Sequence, residues 1–169
     1  MMSGMWNCGF NVDASRYGLE VDVAWRFAPQ WTMRGSYAYV RAENDTMNTP
    51  LAQTPPQEFK LGVDYQTGPW TVGALARVVA KQDRVHIGYG NIVGQDLGAS
   101  DGFTTVALNG AYRINKMALI SAGIDNLFDR TYAEHISRTG ATIAGYGAAT
   151  TRVNEPGRFV WVKASLSFN

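Results

Sequence analysis

Apolar and polar residues alternate along seven segments of the chain, with the period of two that is typical of a β-strand. In the last segment one side is entirely apolar and consists of Val160, Val162, Ala164, Leu166 and Phe168. The pattern predicts strands over residues 17–28, 31–44, 57–67, 70–82, 103–114, 117–128 and 158–168. Each strand is long enough to cross a bilayer, because a tilted strand needs only about 9–11 residues to do so.

Short and long connections alternate between the predicted strands. Three connections are tight turns made of turn-forming residues: Pro29-Gln30, Gly68-Pro69 and Asn115-Lys116. Three others are long loops rich in Gly, Asn, Asp, Thr and Pro: residues 45–56, 83–101 and 129–156. This alternation is typical of outer-membrane β-barrels, whose short turns face the periplasm and whose long loops face outward.

Aromatic residues of the apolar side cluster near the short turns and the C-terminus. They are Trp25, Phe27, Trp31, Tyr65, Trp70, Tyr112 and Phe168. Amphipathic rings settle at the headgroup depth of a bilayer, so these residues are predicted to form one interfacial girdle. Phe159 and Trp161 occupy the odd positions of the last strand, opposite its apolar row, and both are predicted to point inward.

These patterns predict an all-β, antiparallel, up-and-down transmembrane β-barrel segment of about seven to eight strands. A soluble β-sandwich or a small ligand-binding barrel also alternates with a period of two. The strand lengths, the two kinds of connection and the aromatic girdle favour the membrane barrel. The apolar side is therefore predicted to face lipid, and the charged side to face an enclosed interior.

The composition agrees with a membrane wall made of strands. Charged residues make up 17% of the chain, which is below the roughly 25% of an average soluble domain. No apolar run approaches the ~18 residues of a membrane helix, so any crossing must use strands. The net charge of +1 gives no electrostatic footprint for nucleic acid.

The N-terminus carries no recognisable export signal. The first residues contain neither a basic region nor an apolar stretch of the kind found in signal peptides. A barrel protein must be exported, so we expect the chain to lack its true N-terminus. Cys8 is the single cysteine, and no internal disulfide is possible.

The end of the chain carries a specific motif. Residues 121–132 read Ser-Ala-Gly-Ile-Asp-Asn-Leu-Phe-Asp-Arg-Thr-Tyr, and Glu-Pro-Gly-Arg-Phe at 155–159 opens the closing strand. This combination resembles the C-terminal signature of TonB-dependent outer-membrane receptors. The resemblance implies a barrel of about 22 strands, an N-terminal plug inside it and a short box that engages TonB. We expect residues 1–169 to be the C-terminal portion of such a barrel, with the plug, the TonB box and the signal peptide absent.

The same resemblance implies a location and partners. We expect the protein in the outer membrane of a Gram-negative bacterium, in contact with outer-membrane lipid. It would engage the TonB complex through the missing N-terminal part, and the barrel-assembly machinery through the strand that ends at Phe168. No nucleophile–base pair, phosphate loop or zinc spacing is recognisable, so we expect neither catalysis nor a cofactor. Asn126 and Asp129 are interpreted as structural, since both residue types favour turns.

Two loop segments are most similar to the TonB-dependent copper receptor branch, namely residues 132–136 and 151–158. Copper would then be the transported ligand. Cu(I) prefers thioether and thiolate ligands, and imidazole also suits copper. The candidate metal contacts are Met2, Met5, Cys8, Glu134 and His135. Methionines are also common gap fillers, and His135 could instead bond a loop carbonyl.

Two other functions remain open. The barrel signature is shared with siderophore and cobalamin receptors, and only the loops favour copper. Alternatively, a self-standing small barrel could close with about eight strands and act as an adhesin or a structural wall protein. Residues 5–12 would have to supply the eighth strand of that barrel.

Overall fold

The computed structural model describes residues 12–91, 94–137 and 152–168. Within these ranges, no helix is long and apolar enough to cross a membrane. The strands are β1 (Ala14–Ala28), β2 (Trp31–Asn44), β3 (Thr49–Pro50), β4 (Glu58–Thr67), β5 (Trp70–Val79), β6 (Gly90–Asn91), β7 (Gly94–Gln95), β8 (Phe103–Arg113), β9 (Ala118–Asp125) and β10 (Phe159–Leu166).

Seven strands form one antiparallel meander in the order β1-β2-β4-β5-β8-β9-β10. They correspond one to one with the seven segments that the alternation predicts. The predicted tight turns connect β1 to β2, β4 to β5 and β8 to β9. β3 pairs with the end of β2, and β6 and β7 form a separate hairpin. The prediction of an all-β, antiparallel, up-and-down sheet is confirmed.

The end of β9 differs from the prediction. Alternation predicts a strand over 117–128, but β9 ends at Asp125. The reason lies in Asn126 and Asp129, whose φ angles of 49° and 55° are in the left-handed region. A strand cannot continue through that conformation. Asn and Asp tolerate it better than other non-glycine residues, which agrees with their predicted role in a turn.

The apolar side of the sheet is exposed. Leu19, Val23, Trp25, Trp70 and Val72 each expose between 52% and 58% of their surface. In a soluble domain such a face would pack against a second layer, and no second layer covers it within the described residues. The predicted orientation is therefore confirmed, with the apolar rows facing outward rather than into a compact core.

Aromatic rings contact one another across strands at the short-turn end of this face. The ring centroids of Trp31 and Tyr65 lie 4.7 Å apart, and those of Trp70 and Tyr112 lie 4.5 Å apart. Phe27 extends the row, with its centroid 6.1 Å from that of Trp31. Such cross-strand pairs contribute roughly 0.2–1 kcal/mol each. The aromatic residues thus form a row at the depth where the girdle is predicted.

Buried side chains lie at the opposite end of the sheet, near the long loops. Ala42, Val79 and Phe103 are the buried apolar residues among those described. Because side chains alternate between the two faces of a strand, all three lie on the polar side of the sheet. The ring of Phe103 packs against that of Tyr132, with 4.2 Å between centroids. The long loops therefore fold over the end of the polar side and give the molecule its only core among the described residues.

Candidate functional site

Three long loops meet at this covered end: the first long loop is 45–57, the second is 80–102 and the third is 126–158. We call their described parts, with the strand ends beneath them, the loop cap. The loop cap is rich in buried polar residues, namely Asn44, Thr54, Gln82, Asp96, Ser100, Asn126 and His135. Buried polar groups that bond one another fix a single arrangement of the chain. The loop cap is therefore the candidate functional site.

Asp96 and His135 lie at the centre of the loop cap. The Asp96 carboxylate accepts the N–H of Gln53 at Oδ1 (2.9 Å) and the N–H of His86 at Oδ2 (2.8 Å). Only 1% of the His135 side chain is exposed, and its Nδ1 lies 2.9 Å from Ser100 Oγ. Its Nε2 lies 3.7 Å from Asp96 Oδ1 and has no hydrogen-bond partner within the described residues.

The surroundings of His135 favour the neutral imidazole. Burial lowers the pKa of His135, and the Arg152 guanidinium lowers it further, while Asp96 acts in the opposite direction. A histidine with a lowered pKa is uncharged at neutral pH, and the uncharged ring is the form that binds metals. Across residues 12–91, 94–137 and 152–168, however, no group of three or more His, Cys, Asp or Glu side chains is placed to hold a metal ion.

Arg152 joins the third long loop to the second. Its Nε donates to the carbonyl of His135 at 3.0 Å, within the third loop. Its Nη1 donates to the carbonyl of Ala99 at 3.0 Å, and its Nη2 donates to that of Gly98. A guanidinium can bond several carbonyls at once because its five N–H donors form a rigid fork. One side chain thus holds two loops together.

Glu134 points toward the sheet, away from its neighbour His135. Its carboxylate accepts bonds from Arg77 Nη1 at 2.5 Å and Arg77 Nη2 at 3.2 Å. Arg77 lies on the polar side of β5 and also donates from Nε to Glu58 of β4 at 2.7 Å. Its guanidinium carbon lies 5.2 Å from the centroid of the Phe103 ring. This network anchors the third long loop to the strands.

The Asn-Leu-Phe-Asp motif closes the base of the third long loop. Asn126 Oδ1 accepts the N–H of Arg130 at 2.9 Å, and its Nδ2 donates to the carbonyl of Arg130 at 2.8 Å. Asp129 Oδ1 accepts the N–H of Arg158 at 2.7 Å, which ties the start of the loop to its end. A Cβ at Gly157 would lie 2.7 Å from that same oxygen, so a larger residue there would displace the Asp129 carboxylate. The structural role predicted for this motif is confirmed.

The substitution Asn126→Ala should destabilise the folded protein by about 1–3 kcal/mol, because it removes two hydrogen bonds to the backbone of Arg130, each worth roughly 0.5–1.5 kcal/mol. Urea unfolding of the purified protein in lipid vesicles would measure the loss. Asn48→Ala is the matched control, since Asn48 also has a positive φ, of 51°, and has no side-chain hydrogen bond within the described residues. Equal losses of stability in the two variants would mean that the Asn126 hydrogen bonds contribute nothing beyond the cost of replacing an asparagine at a positive φ.

Charged residues of both signs occupy the polar side below the loop cap. A recess of about 530 Å³ on this side is lined partly by apolar residues and glycines and partly by charged and neutral polar residues, namely Asp22, Arg34, Ser36, Lys60, Asp64 and Asn109. Arg34 forms an ion pair with Asp64 across β2 and β4. Charges of this kind are strongly disfavoured against lipid. The polar side is therefore the interior side of the wall, as predicted.

Two aromatic residues of β10 also lie on the interior side. Trp161 stands directly opposite Gly123 of β9 in the strand register. The ring covers the glycine so closely that a Cβ there would lie 2.5 Å from it. Phe159 borders a second recess, of about 370 Å³, whose lining includes Arg77 and Tyr132. The predicted inward orientation of Phe159 and Trp161 is confirmed.

The described structure does not bring the predicted metal contacts together. Met2, Met5 and Cys8 lie outside the described residues. Glu134 and His135 are adjacent in sequence, but the carboxylate bonds Arg77 while the imidazole lies inside the loop cap.

Sequence reasoning missed the residues that organise the loop cap. Asp96 and Arg152 carry no signal beyond being charged residues in loops. His86 is half-buried, and its Nδ1 lies 3.1 Å from Thr49 Oγ1. Each partner lies in a different part of the chain, so no local pattern marks these contacts.

An antiparallel meander with one exposed apolar face, an aromatic row and a charged opposite face is a wall segment of a transmembrane β-barrel. The sequence model described as TonB dependent receptor-like, beta-barrel, matches residues 3–127. The chain belongs to this family, which consists of outer-membrane receptors and transporters rather than enzymes.

Solved structures of this family superpose on most of the chain. The copper transporter OprC is 42% identical with a TM-score of 0.89, over 94% of this chain and 24% of that one. A mutant of the ferric enterobactin receptor PfeA from Pseudomonas aeruginosa is 27% identical with a TM-score of 0.67, over 89% of this chain and 22% of that one. In both cases the chain corresponds to a segment of a larger barrel.

Curated relatives include receptors for iron chelates. The catecholate siderophore receptor Fiu from Escherichia coli strain UTI89 is 30% identical over 131 residues, which is 73% of this chain and 17% of Fiu. The ferric enterobactin receptor of Pseudomonas aeruginosa strain PAO1 is 28% identical over 143 residues, which is 82% of this chain and 19% of that receptor. The chain therefore spans less than a fifth of the length of these relatives.

Proposed function

We propose that this chain forms part of the wall and the outer loops of a TonB-energised receptor that takes up copper across the outer membrane of a Gram-negative bacterium. The observation that carries the proposal is the likeness to the copper transporter OprC. That likeness reaches 42% identity and a TM-score of 0.89, against 27% and 0.67 for the ferric enterobactin receptor. That likeness covers 94% of the chain.

In this proposal, different parts of the receptor have different roles, and this segment supplies some of them. Residues 1–169 are the C-terminal portion of the barrel, and the plug, the TonB box and the export signal belong to a preceding part of the same protein. The present segment supplies lipid-facing wall, outer loops and a closing strand that the barrel-assembly machinery engages near Phe168. Capture by loops and plug precedes a plug rearrangement that TonB drives.

The proposed copper contacts are of two chemical kinds. Met2, Met5 and Cys8 offer the thioether and thiolate groups that Cu(I) prefers. His135 and Glu134 are both engaged inside the loop cap. A copper contact through either residue therefore requires that cap to open first.

A titration of Cu(I) tests the role of His135. The variant His135→Ala should bind Cu(I) at least roughly tenfold more weakly if the imidazole is a ligand, since even the loss of a group that only supports a ligand costs about 10–100-fold in affinity. His86→Ala is the matched control, because His86 is the only other histidine of the chain. Unchanged binding and uptake in His135→Ala would remove His135 from the proposal and leave the Met2, Met5 and Cys8 group to be tested by a triple serine variant.

The second candidate function is uptake of a ferric catecholate, which the 30% identity with Fiu favours. Cells that lack the protein, and the same cells complemented with it, should be compared at limiting metal for uptake of radiolabelled copper and of radiolabelled ferric enterobactin. Copper uptake that depends on both the protein and TonB supports the first proposal. If ferric enterobactin uptake depends on the protein and TonB instead, the cargo is the ferric catecholate and not copper. If the uptake of neither compound depends on the protein, a structural wall protein is favoured.

A further inference from the structure

One carboxylate contacts all three long loops. Asp96 belongs to the second long loop and accepts the N–H of Gln53, in the first, and of His86, in its own. Its Oδ1 also lies 3.7 Å from Nε2 of His135, in the third. Only 3% of the Asp96 side chain and 1% of the His135 side chain are exposed. No other described carboxylate links the three loops in this way.

Further contacts join the loops in pairs around Asp96. Gln82 Nε2 donates to the carbonyl of Thr54 at 3.0 Å, which connects the second loop to the first. Ser100 Oγ lies 2.9 Å from Nδ1 of His135, which connects the second loop to the third. Arg152 adds its bonds to the carbonyls of the second loop. The second loop therefore contacts both of the other loops, and Asp96 is the residue of the second loop that reaches both.

The burial of these groups determines how the loops can move. A buried carboxylate is stable only while N–H donors or a positive charge compensate for its lost hydration. If the first loop alone moved away, Asp96 Oδ1 would lose its backbone donor and remain buried beside His135. If the third loop alone moved away, the Asp96 and Gln53 contact would become exposed to water. Each separate movement therefore breaks contacts that the other loops need.

We propose that Asp96 couples the described parts of the three long loops into one cooperative unit, so that they loosen together rather than one by one. The coupling is a property of the loops themselves and holds whichever cargo the protein carries. It predicts a specific long-range effect. A substitution that touches only the second and third loops must also loosen the first.

Arg152→Gln provides that test, because all described contacts of Arg152 lie in the second and third loops. Hydrogen–deuterium exchange should be followed in the purified full protein in detergent micelles, in peptides that cover residues 45–57, 82–91 and 126–137. The proposal expects exchange to accelerate roughly tenfold or more in all three peptides, including 45–57, while strand peptides stay protected. Acceleration confined to the second and third loops would overturn it.

Asp96→Asn provides the direct test. The amide removes the charge and presents an NH₂ donor to one of the two backbone N–H groups, so all three loop peptides should exchange faster together. The matched control is Asp83→Asn, whose carboxylate is 64% exposed and, among the described residues, pairs only with Lys81, at 3.5 Å. The control should exchange like the wild type. Faster exchange in the second loop alone, or unchanged exchange in all three loops, would overturn the coupling, and if Asp96→Asn does not assemble, Arg152→Gln decides.

Discussion

Val63→Arg is expected to destabilise the folded protein by about 2–4 kcal/mol, the cost of an arginine on the lipid face near the middle of a bilayer. Val63 lies on the apolar side of β4, between Phe59 toward the long loops and Tyr65 in the aromatic row. Its register partners are Met33 and Ala74, both apolar, so no carboxylate on that face can pair with the new guanidinium. Equilibrium unfolding in lipid vesicles measures the effect.

Asn109→Arg is the matched control for that substitution. Asn109 pairs with Gly73, one residue from the level of Val63, but it lies on the interior side. An arginine there reaches water and Asp64, so the loss of stability should be much smaller. Equal losses at the two positions, or no loss at Val63 in a protein shown to be inserted in lipid, would contradict the assignment of the apolar face to lipid.

Gly123→Ala is expected to destabilise the protein by roughly 1–3 kcal/mol, as an overpacking substitution does. A Cβ at this position would lie 2.5 Å from the Trp161 ring and 2.9 Å from the carbonyl oxygen of Leu108. The ring can rotate away only by giving up its packing on β9, and the backbone carbonyl can move only with its strand. Unfolding in lipid vesicles again provides the measurement.

Two further variants identify the source of that loss. Gly62→Ala, also on the interior side, is the control, because a Cβ there would have its nearest neighbour at 3.8 Å. It should change stability little. In the background of Trp161→Ala, Gly123→Ala should cost less than in the wild type, because the ring contact is gone. The same cost in both backgrounds would show that Trp161 does not crowd Gly123.

The wall could be predicted from the sequence because its signal is local. Strand side chains alternate with a period of two, so a few consecutive residues report which face each one occupies. The same rule placed Trp161 on the interior side, although its indole looks out of place among polar residues. Gly123 opposite explains how the ring is accommodated. The alternation did not fix every strand end: β5 stops at Val79 although the pattern extends to residue 82, and β9 stops before the left-handed backbone of Asn126.

The loop cap could not be predicted because its contacts join distant parts of the chain. Asp96 and Gln53 are 43 residues apart, and Arg152 and Gly98 are 54 residues apart. Loop conformation decides which of many polar side chains meet, and no periodic rule describes it. His135 was predicted as a candidate from the chemistry of imidazole and from the resemblance of residues 132–136 to the copper receptor branch. Its burial depends on the packing of three loops and is not visible in the residues beside it.

The closure at the base of the third long loop has a consequence for how that loop can change. Asn126 and Asp129 fasten its two ends next to the strands, so the register of β9 against β10 does not depend on the residues between them. Extending a closed loop costs little, about 0.6 kcal/mol for each doubling of its length. Additional residues between positions 137 and 152 can therefore be accommodated without disturbing the pairing of β9 with β10.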